Sequence, residues 1–240
     1  MKKFTTGLTY FIRVLAILLI GVNAFRIFKD YDFFFFLQRP APLALMNSFI
    51  LLFYGYLRAL LRKCKIEISD LLYLLTSISM LLTFGLGMLF AFYQTVPHYD
   101  SFAHFINGAL LTLVSLMVLS LLVKKETLAQ LSPLFIVAFA FSFSSMLGVV
   151  WELVEYSLDS IFHANMQRYA EYIVIDGIPS IGEDLVGRAA LHDTMIDIIL
   201  NTLGGLIVCI ILYFDLKREA PFITKMYIKR IKDEEPEIVN

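Results

Sequence analysis

Apolar residues gather along this chain in six runs, near 8–28, 42–62, 71–94, 101–123, 133–157 and 192–214. Each approaches the roughly 20 residues that a helix needs to cross about 30 Å of hydrocarbon. Polar residues interrupt the last three runs at helical spacing. In the fifth, Ser145, Gly148, Glu152, Glu155 and Asp159 recur at intervals of three and four. In the sixth, Asp193, Asp197 and Asn201 stand four apart, with Gly204 and Gly205 continuing the same face. The fourth opens with Asp100 and His104 four apart and Asn107 one turn further. An acid at the centre of a membrane helix costs roughly 2.5 to 3.5 kcal/mol on insertion scales, so such a face turns toward a protein interior or a watery cavity.

Composition agrees with the pattern. Over 240 residues the chain is 59% hydrophobic and 17% charged, with a mean hydropathy of +0.75. A soluble domain of this length would expose far too much apolar surface. The reading is an all-α polytopic transmembrane bundle of about six helices, one integral membrane domain over 1–240. Within it, 1–95 forms scaffold helices, 96–214 carries the polar residues and 215–240 is a tail. The net charge of -1 comes with no basic stripe, so no nucleic-acid partner is expected. Cys64 and Cys209 make no disulfide or metal pattern.

The start of the chain, MKK before an apolar run and VNA at 22–24, imitates a signal peptide, but Arg13 interrupts the run and an uncleaved anchor is favoured. Lys and Arg set the orientation. Lys2, Lys3, Arg62, Lys63, Lys65, Lys124, Lys125 and six more in the tail fall on one side; Arg26, Lys29, Arg39, Arg168 and Arg188 fall on the other. Both termini are therefore expected in the cytoplasm, and the polar ends of the last three helices outside. Arg13 and Arg58, near cytoplasmic helix ends, are expected to snorkel to the interface. Ser69 and Asp70 read as the cap of the third helix. The aromatic run at 33–36, with Tyr31, reads as an interfacial girdle.

The connection of about 35 residues between the fifth and sixth runs is long for a simple turn. Its apolar pieces, its charges and its glycines at 177 and 182 predict a hairpin or short helix on the outer bilayer surface, serving as a lid or as a plug.

Topology brings three polar helix ends to one depth. Asp100, Glu152, Glu155, Asp193 and Asp197, with Asp159 near, face few cations: His104, His192 and Arg188. So many acids cannot all be ionised at close quarters without compensation. Bound metal, shared protons and arginine pairing are the three solutions. For a divalent metal the ligands are Asp100, His104, Glu152, Asp193 and Asp197, because bundle cores hold metals with carboxylates and His from several helices. Glu155 or His104 would then be the catalytic base, and Arg188, Asn201 and Asn107 the substrate-binding groups. The structural alternative is interhelical hydrogen bonding, on the order of 1 kcal/mol per bond.

YDSFAHFINGALLT, WELVEYSLD and LHDTMIDIILNTLGG resemble the three signature blocks of the YjdF-type bacterial membrane proteins, over roughly 97–213. A looser likeness extends to the VanZ-like proteins, whose last block is similar at Asp197, Asn201 and Gly204. The resemblance implies a multi-pass protein of the bacterial cytoplasmic membrane with a site in its second half, and no particular reaction. Three functions fit: an envelope enzyme acting on a membrane lipid or lipid-linked headgroup, a proton-coupled transporter or carrier, and a non-catalytic envelope or antibiotic-shielding factor.

Overall fold

A computed structural model describes residues 2–29, 41–175, 178–218, 221 and 228–230. Each apolar run becomes a helix, because only a helix satisfies every backbone group without water. They are α1 (Lys2–Lys29), α2 (Ala41–Lys63), α3 (Asp70–Met80) with its extension, α5 (Tyr99–Leu122), α7 (Pro133–Phe162) and α8 (Arg188–Asp215). Among the described residues, six helices are thus long and apolar enough to span a membrane. Two single-turn helices, α4 (Phe92–Thr95) and α6 (Lys125–Leu128), lie in connections. The outward faces of the spanning helices, with Leu153 and Tyr156 of α7 and Ile211 and Phe214 of α8 among the exposed side chains, are apolar as lipid contact requires.

Helix starts follow local chemistry. Ser69 caps α3 by accepting from the Leu72 amide, and Ser132 caps α7 from Phe135 with Pro133 in the first turn. The third span ends earlier than the 71–94 run suggests. It widens into a π-helical segment, Leu81–Leu89, and stops where Ala91 adopts a left-handed backbone, φ 56°. The aromatic run at 33–36 lies outside the described residues.

One end of the bundle gathers the start of α1 and residues 228–230. Strand β1 (Ile66–Ile68) pairs antiparallel with β4 (Ile228–Arg230), so the C-terminal segment lies beside the α2–α3 connection. There Arg58 binds Asp70 at 2.6 Å and approaches Thr5 Oγ1 of α1 at 3.4 Å. Arg58 therefore does not snorkel alone as anticipated. A carboxylate one element away neutralises it, and Asp70 is its partner as well as part of the helix start. Ile12, Ala16, Leu51, Tyr54 and Tyr73 form the apolar core of this half.

The other half is packed by backbone. A Cβ at Gly108 of α5 would overlap the Asn201 carbonyl of α8, and one at Gly204 would overlap the Phe105 carbonyl. These two glycines let α5 and α8 touch main chain to main chain, the small-residue contact typical of membrane helices. Helix α7 closes against both. The connection from α7 to α8 shortens to 163–187, because both helices run beyond their apolar stretches, and it forms the anticipated hairpin. Strands β2 (Ala170–Ile175) and β3 (Ile178–Asp184) pair antiparallel, with an irregularity between Ala170 and Tyr172.

Candidate functional site

The end of the bundle remote from Lys2 and β4 holds the polar cluster. The i,i+4 pair on α5 puts Asp100 and His104 on one face, with His104 Nε2 3.4 Å from Asp100 Oδ1. From α8, Asp197 Oδ2 approaches the same nitrogen to 3.8 Å, and from α7 Glu152 Oε1 stands 3.8 Å from Nδ1. The imidazole is thus ringed by carboxylates from three helices. Asp100, His104 and Asp197 offer ligand atoms within 4.8 Å of one another, and so do His104, Glu152 and Glu155. Asp193 borders the group from the first turns of α8.

These acids are incompletely satisfied. Glu155 accepts from Trp151 Nε1 at 2.6 Å. Among the described residues, no donor stands at full hydrogen-bonding distance from either oxygen of Glu152, Oδ2 of Asp197 or Oδ2 of Asp193, the Gln167 and Thr194 side chains lying beside Glu152 but bonding each other. Glu152 is 4% exposed and Asp197 1%. A buried oxygen without a donor costs about 1 to 3 kcal/mol, more when charged. Native structures keep such groups where an ion or water completes them or where they do chemistry.

The compensating cation is Arg168. Its Nη2 stands 3.4 Å from Asp100 Oδ2, its Nε 3.7 Å from Asp193 Oδ1, and Nη2 also donates to the Tyr93 carbonyl at 3.0 Å. The loop that carries it is built for the task. Asp159, buried at the end of α7, accepts from the amides of Met166 and Gln167 at 2.7 and 2.9 Å. Asn165 clasps Ala170 through both of its amide atoms, at 2.8 and 2.9 Å. His163, Asn165 and Arg168 all take left-handed backbone, φ 51°, 53° and 48°, which folds the chain back over the cluster. Gln167 Nε2 ties the loop to Thr194 Oγ1 of α8 at 2.9 Å. Beneath the loop lies a cavity of about 30 Å³ bordered by Tyr93, Gln94, Asp100, Glu155, Arg168 and Tyr172, large enough for a water. Burial pushes the Tyr93 and Tyr172 phenols above their ordinary range, reinforced at Tyr93 by Asp100 and Glu155. Both remain neutral donors at any physiological pH.

The residues singled out from the sequence divide accordingly. Asp100, His104, Glu152, Glu155, Asp193 and Asp197 come together. Asn201 lies deeper, its side chain against Gly148, where a Cβ would collide with it. Asn107 faces elsewhere on α5 and bonds Ser79 and Thr83 of the third span. Arg188 and His192 are exposed on the first turns of α8. Asp159 holds the loop rather than joining the cluster. Ser144, not Ser145, is the fully buried serine of the α7 stripe, donating to the Gly108 carbonyl at 3.0 Å. Arg168, Tyr93 and Gln94 were not anticipated. The signal for Arg168 is the HAN tripeptide just after the α7 acids, since Asn and His enter left-handed backbone more readily than most residues and so mark a sharp return.

A bundle of six apolar helices enclosing a His–carboxylate centre defines a polytopic integral membrane protein. The chain belongs to the family described as predicted membrane protein, DUF2238, whose model matches residues 10–218. The YjdF-type resemblance is consistent with that family. No curated protein and no solved structure matches the chain.

Proposed function

We propose that the cluster around His104 binds a divalent metal and that the protein is a membrane enzyme acting on a lipid or lipid-linked headgroup. The observation that carries this reading is the set of buried, donorless oxygens on Glu152 and Asp197 on either side of His104. Hard oxygen donors with one imidazole suit magnesium, manganese, iron(II) or zinc. Asp100, His104, Glu152 and Asp197 would be ligands, with Asp193 at the edge. Glu155, steadied by Trp151, would take the proton from water or a substrate hydroxyl. Arg168, one-third exposed at the rim, would meet the anionic part of the headgroup. The distribution of Lys and Arg supports an outward-facing site with cytoplasmic termini.

Metal content decides this reading. Protein purified without chelator and incubated in turn with Mg, Mn, Fe(II) and Zn is expected to retain close to one equivalent of one of them. The Glu152→Gln, Asp197→Asn variant is expected to retain less than about a tenth of that. A wild type that retains only traces of every metal overturns the metal reading.

A proton-coupled carrier is the second reading, because protonation would also account for donorless carboxyl oxygens. It requires a route from the cluster toward the chain termini, and there α5 and α8 meet without a gap at Gly108 and Gly204. Cysteine labelling from the terminal side near Leu206 would reverse the ranking.

A further inference from the structure

A second polar site lies at the opposite end of the molecule. Lys2, Thr6, Thr9, Tyr10 and Arg13 of α1, Arg58 and Arg62 of α2, and the Glu67–Asp70 connection enclose a cavity of about 300 Å³. Among the described residues lining it, four cations face two carboxylates, an excess of two positive charges. Arg58 is fully engaged, with Asp70 at 2.6 Å, the Ile68 carbonyl at 3.2 Å and its guanidinium over the Tyr73 ring. Arg13 and Arg62 are not. Arg13 donates from Nε to the Gly55 carbonyl at 2.7 Å and lies over the Tyr56 ring at 4.1 Å. Its two terminal nitrogens have no acceptor among the described residues. Arg62 approaches Glu67 only to 3.9 Å and its side chain is half exposed.

Arg13 also interrupts the apolar run of α1. Eleven residues from Lys2, it stands about 16 Å along the helix from that end. An arginine inside an apolar run calls for an anion; of the two carboxylates lining the cavity, Asp70 is committed to Arg58 and Glu67 lies beside Arg62. Its stem is accommodated by Gly55, where a Cβ would come within 2.9 Å of Arg13 Cγ. The arrangement is a fixed guanidinium fork with its outer edge aimed into a cavity that Arg62 and Lys2 complete. Guanidinium forks match phosphate oxygens in geometry and charge. Basic pockets between membrane helices take phosphate headgroups in this manner. Exposed Phe11 and Val14 on α1 offer apolar surface beside it for acyl chains.

We propose that this cavity binds a phosphate group, presented by an anionic lipid headgroup or free in solution, through Arg13, Arg62 and Lys2. The site is independent of the metal reading above. Thermal unfolding of the full chain in neutral detergent, with chelator throughout and ionic strength held constant, tests it. The probes are dihexanoyl phosphatidic acid, dihexanoyl phosphatidylcholine and sodium phosphate. Saturable stabilisation by phosphatidic acid alone is expected, with the dissociation constant rising at least about tenfold in Arg13→Gln, Arg62→Gln. Equal stabilisation by sodium phosphate, lost in the same variant, supports the site with free phosphate as its source. Should the double variant not accumulate, Arg62→Gln alone is read, with a weakening of at least about threefold expected from its exposed, loosely paired side chain. Absence of saturable stabilisation, or unchanged affinity in the variant read, overturns the proposal. So does an equal loss in Lys217→Gln, Arg218→Gln, whose exposed charges lie outside the cavity.

Discussion

Replacing Glu152 by Gln separates a metal centre from a merely structural network by the sign of its effect. In metal-free protein, the attraction of a charged His104 at 3.8 Å is about 4 kcal/mol at an effective dielectric of 20. Repulsion by a Glu155 oxygen within 4.8 Å is about 3.5 kcal/mol or more on the same basis, so it offsets most of that attraction. What remains is the cost of a buried charge with no donor on either oxygen, which the amide relieves by about 1 to 3 kcal/mol. For a chain of this size 1 kcal/mol moves the midpoint by about 2 to 4 °C, so Glu152→Gln should unfold about 2 to 12 °C higher than wild type in chelator. Metal at a hundredfold excess over its dissociation constant should add about 2.7 kcal/mol, or about 5 to 11 °C, to the wild type. The variant, short of one ligand, should gain less than about a third of that. Differential scanning fluorimetry in detergent, with and without chelator, reads both numbers. If the variant is less stable than wild type in chelator and the two respond equally to metal, the carboxylate is structural and the reasoning fails.

Other perturbations probe the frame around the cluster. Gly204→Ala forces a methyl into the Phe105 carbonyl and should cost about 2 kcal/mol or more, seen as lower yield and melting temperature. Gly21→Ala on α1, where nothing lies within 4 Å, should be neutral or stabilising by up to about 1 kcal/mol in the same measurement. Asp159→Ala strands the Met166 and Gln167 amides; limited proteolysis should cut at 163–169 at least several-fold faster, with His104 and its neighbours still in place. Arg168→Gln should cost about 1 kcal/mol in melting, because the side chain is one-third exposed and its ion pairs are long. A drop as large as that of Gly204→Ala would show that Arg168 is a structural keystone rather than a rim group.

The architecture was legible because its cause is local. A run of 20 apolar residues and a serine cap act through their own segment, and the six spans and the Ser69 cap follow. The convergence of Asp100, His104, Glu152 and Asp197 was legible too, since helical spacing and alternating direction place them without knowledge of packing. What escaped depends on contacts between segments. Arg188 and Arg168 are equally plausible cations on composition alone. Only the turn built by Asp159 and Asn165 sends the second inward while the first stays in solvent. Asn107 shares a helix with His104, yet a hundred degrees per residue places it toward Ser79 and Thr83. The early end of the third span rests on Ala91 in a left-handed conformation, which alanine does not advertise. The cavity around Arg13 was likewise hidden, because snorkelling and anion capture leave the same trace in a sequence.

The main-chain crossing of α5 and α8 also decides which parts of this molecule can move. Walls that touch carbonyl to glycine have no slack, so the floor beneath His104 behaves as an anvil and its diameter is set by two backbones. The 163–169 loop, held by hydrogen bonds rather than by interlocked helices, is the softer boundary. Traffic to the centre is therefore governed from above. Changes in that loop that spare Arg168 should alter how fast a guest would enter or leave, while a grip fixed by the helices stays the same.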